Sequence, residues 1–114
     1  MSKIDLKIDL ETDGDYSLPD YEKYGMKYEY GGYSGRFHFE DTTDDSYKAI
    51  RDATHVLENV LCGIRVAPGH YWIIKDLFEM FDGAIEALCR REPTYMGEVS
   101  GNYDGTEIEF TLEV

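Results

Sequence analysis

Apolar and polar residues alternate with a period of two near both ends of the chain. The apolar members of this pattern are Ile4, Leu6, Ile8 and Leu10 in the first segment, and Ile108, Phe110, Leu112 and Val114 in the last. A period of two is typical of strands that bury one face and leave the other to solvent. The sequence therefore predicts a half-buried strand at each end.

Two hairpins are predicted beside these strands. The segment MKYEYGGYSGRFHFE, residues 26–40, has Gly31, Gly32 and Gly35 in its turn. Asp104-Gly105 joins the last strand to one near residues 95–100, since Asp-Gly is a preferred pair in two-residue hairpin turns. Together with the N-terminal strand, these hairpins give an antiparallel sheet of four or five strands.

The middle of the chain has helical periodicity instead. Apolar residues between positions 49 and 61 fall within an arc of about 140° on a helix that ends at Gly63. A second helix is predicted from about Tyr71 to Arg91, and its apolar arc of roughly 200° is wide enough to contact both a sheet and the first helix. Thr43 or Asp44 is expected to cap the first helix.

These elements predict a single α+β domain covering residues 1–114. Two antiparallel helices pack on one face of the antiparallel sheet, and the other face meets water. No apolar run is long enough to span a membrane, and the start of the chain lacks an apolar secretory signal. We expect a cytoplasmic protein on this basis.

Charge is distributed unevenly along the chain. The net charge is −13, of which residues 1–47 carry −7, residues 48–93 carry −1 and residues 94–114 carry −5. Such a charge disfavours nucleic acid and anionic membranes and favours a basic protein as partner. Because the middle segment is nearly neutral, the distribution favours a localised acidic face over a generally acidic surface.

The last segment supplies most of the predicted acidic face. Its acidic residues are Glu98, Asp104, Glu107, Glu109 and Glu113, with no Lys or Arg among them. Alternate residues of a strand lie about 6.6–7 Å apart, close to the separation of consecutive phosphates on a nucleic-acid strand. We expect these acids to form a partner-binding surface on the solvent side of the sheet.

Tyrosines are concentrated near the other end of the chain. Six of the ten lie between residues 16 and 33, and Tyr16, Tyr21 and Tyr24 are predicted in a loop beside Asp20. Tyrosine is enriched in protein interfaces because it combines rigid apolar area with a polar tip. These four residues are a second candidate contact surface, although strand propensity also explains part of the tyrosine content.

No catalytic, phosphate-binding or zinc signature is present, so no enzyme activity and no cofactor are predicted. Residues 9–20, DLETDGDYSLPD, place Asp9, Glu11, Asp13, Gly14, Asp15, Ser17 and Asp20 at calcium-loop spacing. The last position is Asp rather than a bidentate Glu, and the residues before the loop favour a strand. Calcium binding is expected to be weak or absent, and Cys62 and Cys89 are expected at separated ends of the helices, forming no disulfide.

In size, charge and acid–tyrosine content, the chain is similar to the DNA-mimic inhibitors of bacteriophages and mobile elements, including anti-CRISPR and anti-restriction proteins. The resemblance implies an inhibitor that occupies a basic, nucleic-acid-binding surface of another protein. Two alternatives stay open: an immunity protein that neutralises a nuclease toxin, and an accessory domain whose acidity serves solubility alone. The sequence also leaves a homodimer open.

Overall fold

The computed structural model describes residues 3–12, 14, 16–69, 71–90, 96–103 and 106–113, with the backbone alone for residues 72, 98–103 and 106–113. Its elements are β1 (Lys3–Glu11), β2 (Tyr16–Ser17), β3 (Lys27–Glu29), β4 (Gly32–Glu40), α1 (Lys48–Gly63), β5 (Arg65–Val66), α2 (Trp72–Cys89), β6 (Met96–Tyr103) and β7 (Thr106–Glu113). Helix α1 ends at the predicted residue, and α2 is slightly shorter than predicted at both ends. Within the described ranges, neither helix is long and apolar enough to cross a membrane.

The predicted α+β class is confirmed, since one domain combines two helices with antiparallel strand pairs. The hydrogen-bonded order of the strands is β3-β4-β1-β7-β6, and β2 pairs separately with β5. Strand β1 therefore lies between β4 and β7, each of which belongs to a hairpin. All of β1 pairs with β4, and its residues from Lys7 to Glu11 also pair with β7.

The core lies between the strands and the helices. Even-numbered residues of β1 are at most 3% exposed, whereas its odd-numbered residues are exposed or partly exposed. Helix α1 contacts β1 and β4, α2 contacts β6 and β7, and the two helices contact each other. The core residues of the helices are Ala49, Ala53, Leu57 and Val60 in α1, with Ile73, Leu77, Met80, Phe81, Ala84 and Leu88 in α2. We call the face of the sheet that carries the buried even-numbered residues of β1 its inner face and the opposite side its outer face.

The β3–β4 hairpin differs from the prediction in where its glycines lie. Tyr30 and Gly31, with φ of 53° and 75°, form the two-residue turn, as in the mirror-image turns that match strand twist. Gly32 and Gly35 belong to β4, so placing them in the turn was wrong. A side chain at Gly35 would collide with Met26 and Phe37, which explains a glycine inside this strand.

The start of α1 also corrects a prediction. The cap comes from neither Thr43 nor Asp44 but from Asp41, whose Oδ1 accepts a 2.8 Å hydrogen bond from the backbone N–H of Ala49. Asp41 is buried and lies directly after β4. It therefore connects the end of a strand to the first turn of the helix, a long-range contact that local capping rules do not anticipate.

Candidate protein-binding surface

The outer face of the sheet can be followed through the strand register. Residues directly opposite each other on neighbouring strands share a face. Glu11 lies opposite Gly32 of β4 and opposite Glu109 of β7. Its even-numbered neighbour Leu10 is buried, so the positions of Glu11 and Glu109 belong to the outer face.

Acidic positions collect where β1 ends, and we call this set the acidic end. Its members are Asp9, Glu11, Glu29, Glu98 and Glu109. In the outermost row Glu29 lies opposite Gly32, Gly32 opposite Glu11, and Glu11 opposite Glu109.

The next row adds the other two members of the acidic end. Thr111 lies opposite Asp9 on one side and Glu98 on the other. On its other side Asp9 lies opposite Ser34 of β4. Ser34 in turn lies opposite Lys27, a basic residue of the edge strand β3. Since neighbouring strands are about 4.8 Å apart, five acidic positions fall within two adjacent rows of the sheet.

The remaining acids of the C-terminal segment are placed differently. Glu113 lies opposite Lys7, which itself lies opposite Arg36, and Lys7 Nζ is 3.4 Å from Asp9 Oδ2. Glu107 lies opposite Asn102, beyond the end of β1, and Asp104 lies outside the described residues. Sequence reasoning missed the bases beside Glu113, because alternation gives the face of a residue but not the identity of the neighbouring strand.

The far end of the outer face combines its acids with bases. His38 Nδ1 is 2.6 Å from Asp5 Oδ1, and His38 Nε2 is 2.9 Å from Glu40 Oε1. A histidine can donate from both nitrogens only when protonated. The hydrogen bonds to Asp5 and then to Glu40 raise the pKa of His38 above its usual 6.5. The bond from His38, followed by the charge of Lys3, lowers the pKa of Glu40.

The tyrosines of the predicted loop are buried or partly buried in the structure. Tyr16 is 3% exposed and lies in β2, so its prediction as an exposed contact residue is wrong. Tyr21 and Tyr24 are partly buried against the core, whereas Asp20 is exposed. Residues 18–25 fold back over the core, which explains why their aromatic rings face inward.

Two exposed tyrosines of the β3–β4 hairpin were not among the predicted contact residues. Tyr30, in the turn, is fully exposed, and Tyr28 is half exposed. The ring of Tyr28 lies 4.9 Å from that of Tyr33, which lies 5.6 Å from that of Tyr21. The signal in the sequence was a tyrosine directly before the turn glycine, where Asn or Asp is usual.

The described residues give little support for a metal-binding site. Asp9 and Glu11 of the calcium-like segment lie in β1 and Ser17 lies in β2, while Asp13 and Asp15 lie outside the described residues. Over the part of the chain that is described, no group of three or more His, Cys, Asp and Glu could hold a metal ion. Cys62 and Cys89 are free and exposed.

The acidic end thus combines clustered carboxylate positions with an exposed aromatic residue at the adjacent hairpin turn. Such a surface suits recognition of a basic protein more than chemistry on a small molecule. Searches against protein-family models, curated proteins and solved structures find no match to this chain.

Proposed function

We propose that this chain is a protein-binding inhibitor whose acidic end occupies a basic, nucleic-acid-binding site on another protein. The observation that carries the proposal is the pairing of Glu11 with Glu109 on adjacent strands. Like charges directly opposite each other destabilise a sheet. An arrangement that costs folding free energy, and that basic side chains of a partner would relieve, is expected of a binding surface.

The contrast within the outer face supports this interpretation. At the far end, Asp5 and Glu40 contact His38, and Glu40 also lies 3.8 Å from Lys3. The acidic side chains at that end are therefore paired with basic side chains of the same protein. In the outermost row of the acidic end, the paired positions from Glu29 to Ser100 include three acids and no base. Of these acids, Glu11 and Glu29 are exposed and therefore accessible to basic side chains of a partner.

The proposal includes the arrangement of the whole sheet. All five strands share one sheet, both helices cover its inner face, and the outer face of β6 and β7 meets solvent. The positions of Glu98 and Glu109 then belong to the same face as those of Asp9 and Glu11. Their separations, about 4.8 Å across strands and 6.6–7 Å along them, resemble those of charges along a nucleic-acid backbone.

The total charge fits the same role. At −13, the protein repels nucleic acid and anionic membranes while attracting Lys- and Arg-rich surfaces over a Debye length of about 8–10 Å. Complementary charge of this kind raises association rates and selects partners. The partner is accordingly a basic protein, and we place the encounter in the cytoplasm.

Capture of the partner from host lysate tests the proposal. The bait proteins are the wild type, Glu11→Lys/Glu109→Lys, and the control Glu58→Lys/Glu79→Lys, which makes the same change in net charge at exposed positions of α1 and α2. Wild type and control should retain one basic, nucleic-acid-binding protein at low salt, and the acidic-end variant should not. Equal retention by both variants would contradict the proposal.

The nature of the captured protein separates the two inhibitor classes. A nuclease toxin encoded beside this chain would indicate an immunity protein, which uses the same acid-to-base complementarity. A nucleic-acid-binding protein of a defence system would indicate a DNA mimic. Capture that does not weaken as salt rises would show that charge is not the basis of recognition.

A further inference from the structure

The turn of the β3–β4 hairpin contains a residue that folding alone does not favour. Tyr30 has a φ of 53°, in the left-handed region that a bulky residue adopts only as an outlier. Glycine, Asn or Asp fills such a position at lower cost. Because Tyr30 is fully exposed, its ring gains no packing that would offset this cost.

The turn is held beside the acidic end. Thr12 donates its backbone N–H to the carbonyl oxygen of Gly31 at 3.0 Å, which fastens the turn to the residue that follows β1. Glu29 immediately precedes Tyr30, and Glu11 lies opposite Gly32 in the same row as Glu29. Both glutamates are exposed, so two exposed acidic residues lie in the strand row next to the turn that carries Tyr30.

The base of the hairpin is ordered by aromatic packing. The tilted rings of Tyr28 and Tyr33 have centroids 4.9 Å apart, and the ring centroid of Tyr21 lies 5.6 Å from that of Tyr33 and 6.2 Å from that of Tyr28. Tyr33 is buried opposite Leu10. The turn therefore projects from a packed support, which lowers the entropy lost when a partner binds it.

We propose that Tyr30 is an aromatic anchor for an arginine of the basic partner, so that this surface selects arginine over lysine. The inference rests on the proposed function, because it takes the partner to be basic. A guanidinium is planar and weakly hydrated, and it can stack on an aromatic ring while donating to carboxylates at its edge. Glu29 and Glu11 supply those carboxylates. A lysine ammonium is strongly hydrated and gains less from the ring.

Two peptides of equal charge, nona-arginine and nona-lysine, serve as probes in calorimetric titrations. Wild type should bind nona-arginine about two- to fivefold more tightly than nona-lysine, as expected for an exposed cation–π contact. Tyr30→Asn keeps a residue that tolerates the turn and should bind both peptides equally, near the wild-type affinity for nona-lysine. Tyr30→Phe retains the ring and should retain the preference. Thermal melting shows that each variant is folded.

The outcomes distinguish this inference from the proposed function. Glu11→Lys/Glu109→Lys should weaken the binding of both peptides and should also reduce the preference for arginine, because it removes the Glu11 carboxylate from the proposed arginine site. Equal binding of both peptides by wild type, or an arginine preference that survives in Tyr30→Asn, overturns the inference alone. Absence of binding to either peptide overturns the inference and the proposed function together. Self-association lost in Tyr30→Asn, without an arginine preference, would assign the turn to a second copy of this chain and also overturns it.

Discussion

Glu11 and Glu109 lie directly opposite each other on neighbouring antiparallel strands. Residues paired in this way have Cβ atoms about 4.5–5.5 Å apart, and the row that contains them adds Glu29. The sheet therefore concentrates negative charge at one end while neutralising it at the other. This asymmetry is the physical basis of the proposed binding role, and it has consequences for the isolated protein.

The first consequence concerns stability. Replacing Glu11 by Gln removes one of two like charges without removing hydrogen-bonding capacity, so we expect the free energy of unfolding to rise by about 0.2–1 kcal/mol. Urea denaturation at low salt measures the change. Glu58→Gln, at an exposed position of α1, is the matched control and should change stability less. A Glu11→Gln protein that is less stable than both the wild type and Glu58→Gln would contradict the account.

Salt should stabilise the protein. With 24 acids against 11 bases, the folded chain repels itself, and added ions screen that repulsion. The melting temperature should rise on addition of ~0.5 M sodium chloride, and it should rise less in Glu11→Lys/Glu109→Lys. An unchanged or lower melting temperature of the wild type would show that self-repulsion is unimportant.

The sequence predicted the two faces of β1 well, because alternation depends on local burial. In β1, each predicted apolar position is buried and each charged position is exposed or partly exposed. It could not predict which strand lies beside β1, since pairing depends on contacts far apart in the chain. The pairing of Glu11 with Glu109, and of Lys7 with Glu113, could therefore not be predicted before the strand register was known.

Local rules failed where long-range contacts replaced local ones. The cap of α1 comes from Asp41, which accepts a hydrogen bond from the backbone N–H of Ala49, eight positions later in the chain. Tyr16 resembled a loop residue among acids, but its short strand pairs with β5 and buries the ring. Gly35 resembled a turn residue, but neighbouring Met26 and Phe37 require the space of a side chain there.

The contact of Asp41 with α1 should be worth measurable stability. Asp41→Ala removes the acceptor for the Ala49 N–H and should lower the free energy of unfolding by about 0.5–2 kcal/mol, as for other lost helix caps. Asp44→Ala removes the same charge from an exposed position and is the control. Equal losses in the two variants would indicate a general charge effect rather than capping.

His38 should make stability depend on pH. Its pKa is raised above 6.5 by the hydrogen bonds to Asp5 and Glu40. The stabilisation is therefore complete below pH 6.5 and is lost as the pH rises through the raised pKa. The pKa of Glu40 is lowered from 4.5 by the bond from His38, so its contribution is present above pH 4.5 and is lost as the pH falls through the lowered value.

Thermal unfolding as a function of pH tests this linkage. The stability difference between wild type and His38→Gln should be largest between the two shifted pKa values and should shrink at higher pH. His55→Gln, which removes an exposed histidine of α1, is the control. The charged neighbours Lys3, Lys7 and Arg36 on β1 and β4 are unchanged in both variants. A difference that stays constant as the pH rises past the raised pKa would contradict the described contacts.

Displacement of nucleic acid from the captured partner tests the central claim most directly. A labelled duplex bound to that partner is titrated with wild type, Glu11→Lys/Glu109→Lys or Glu58→Lys/Glu79→Lys, and its fluorescence anisotropy is followed at two salt concentrations. We predict that wild type and the helix control release the duplex in competition. The acidic-end variant should release the duplex poorly, because it associates with the partner more slowly. The difference between this variant and wild type should become smaller as salt rises. A complex that holds this protein and the duplex together, or equal displacement by all three proteins, would contradict the claim.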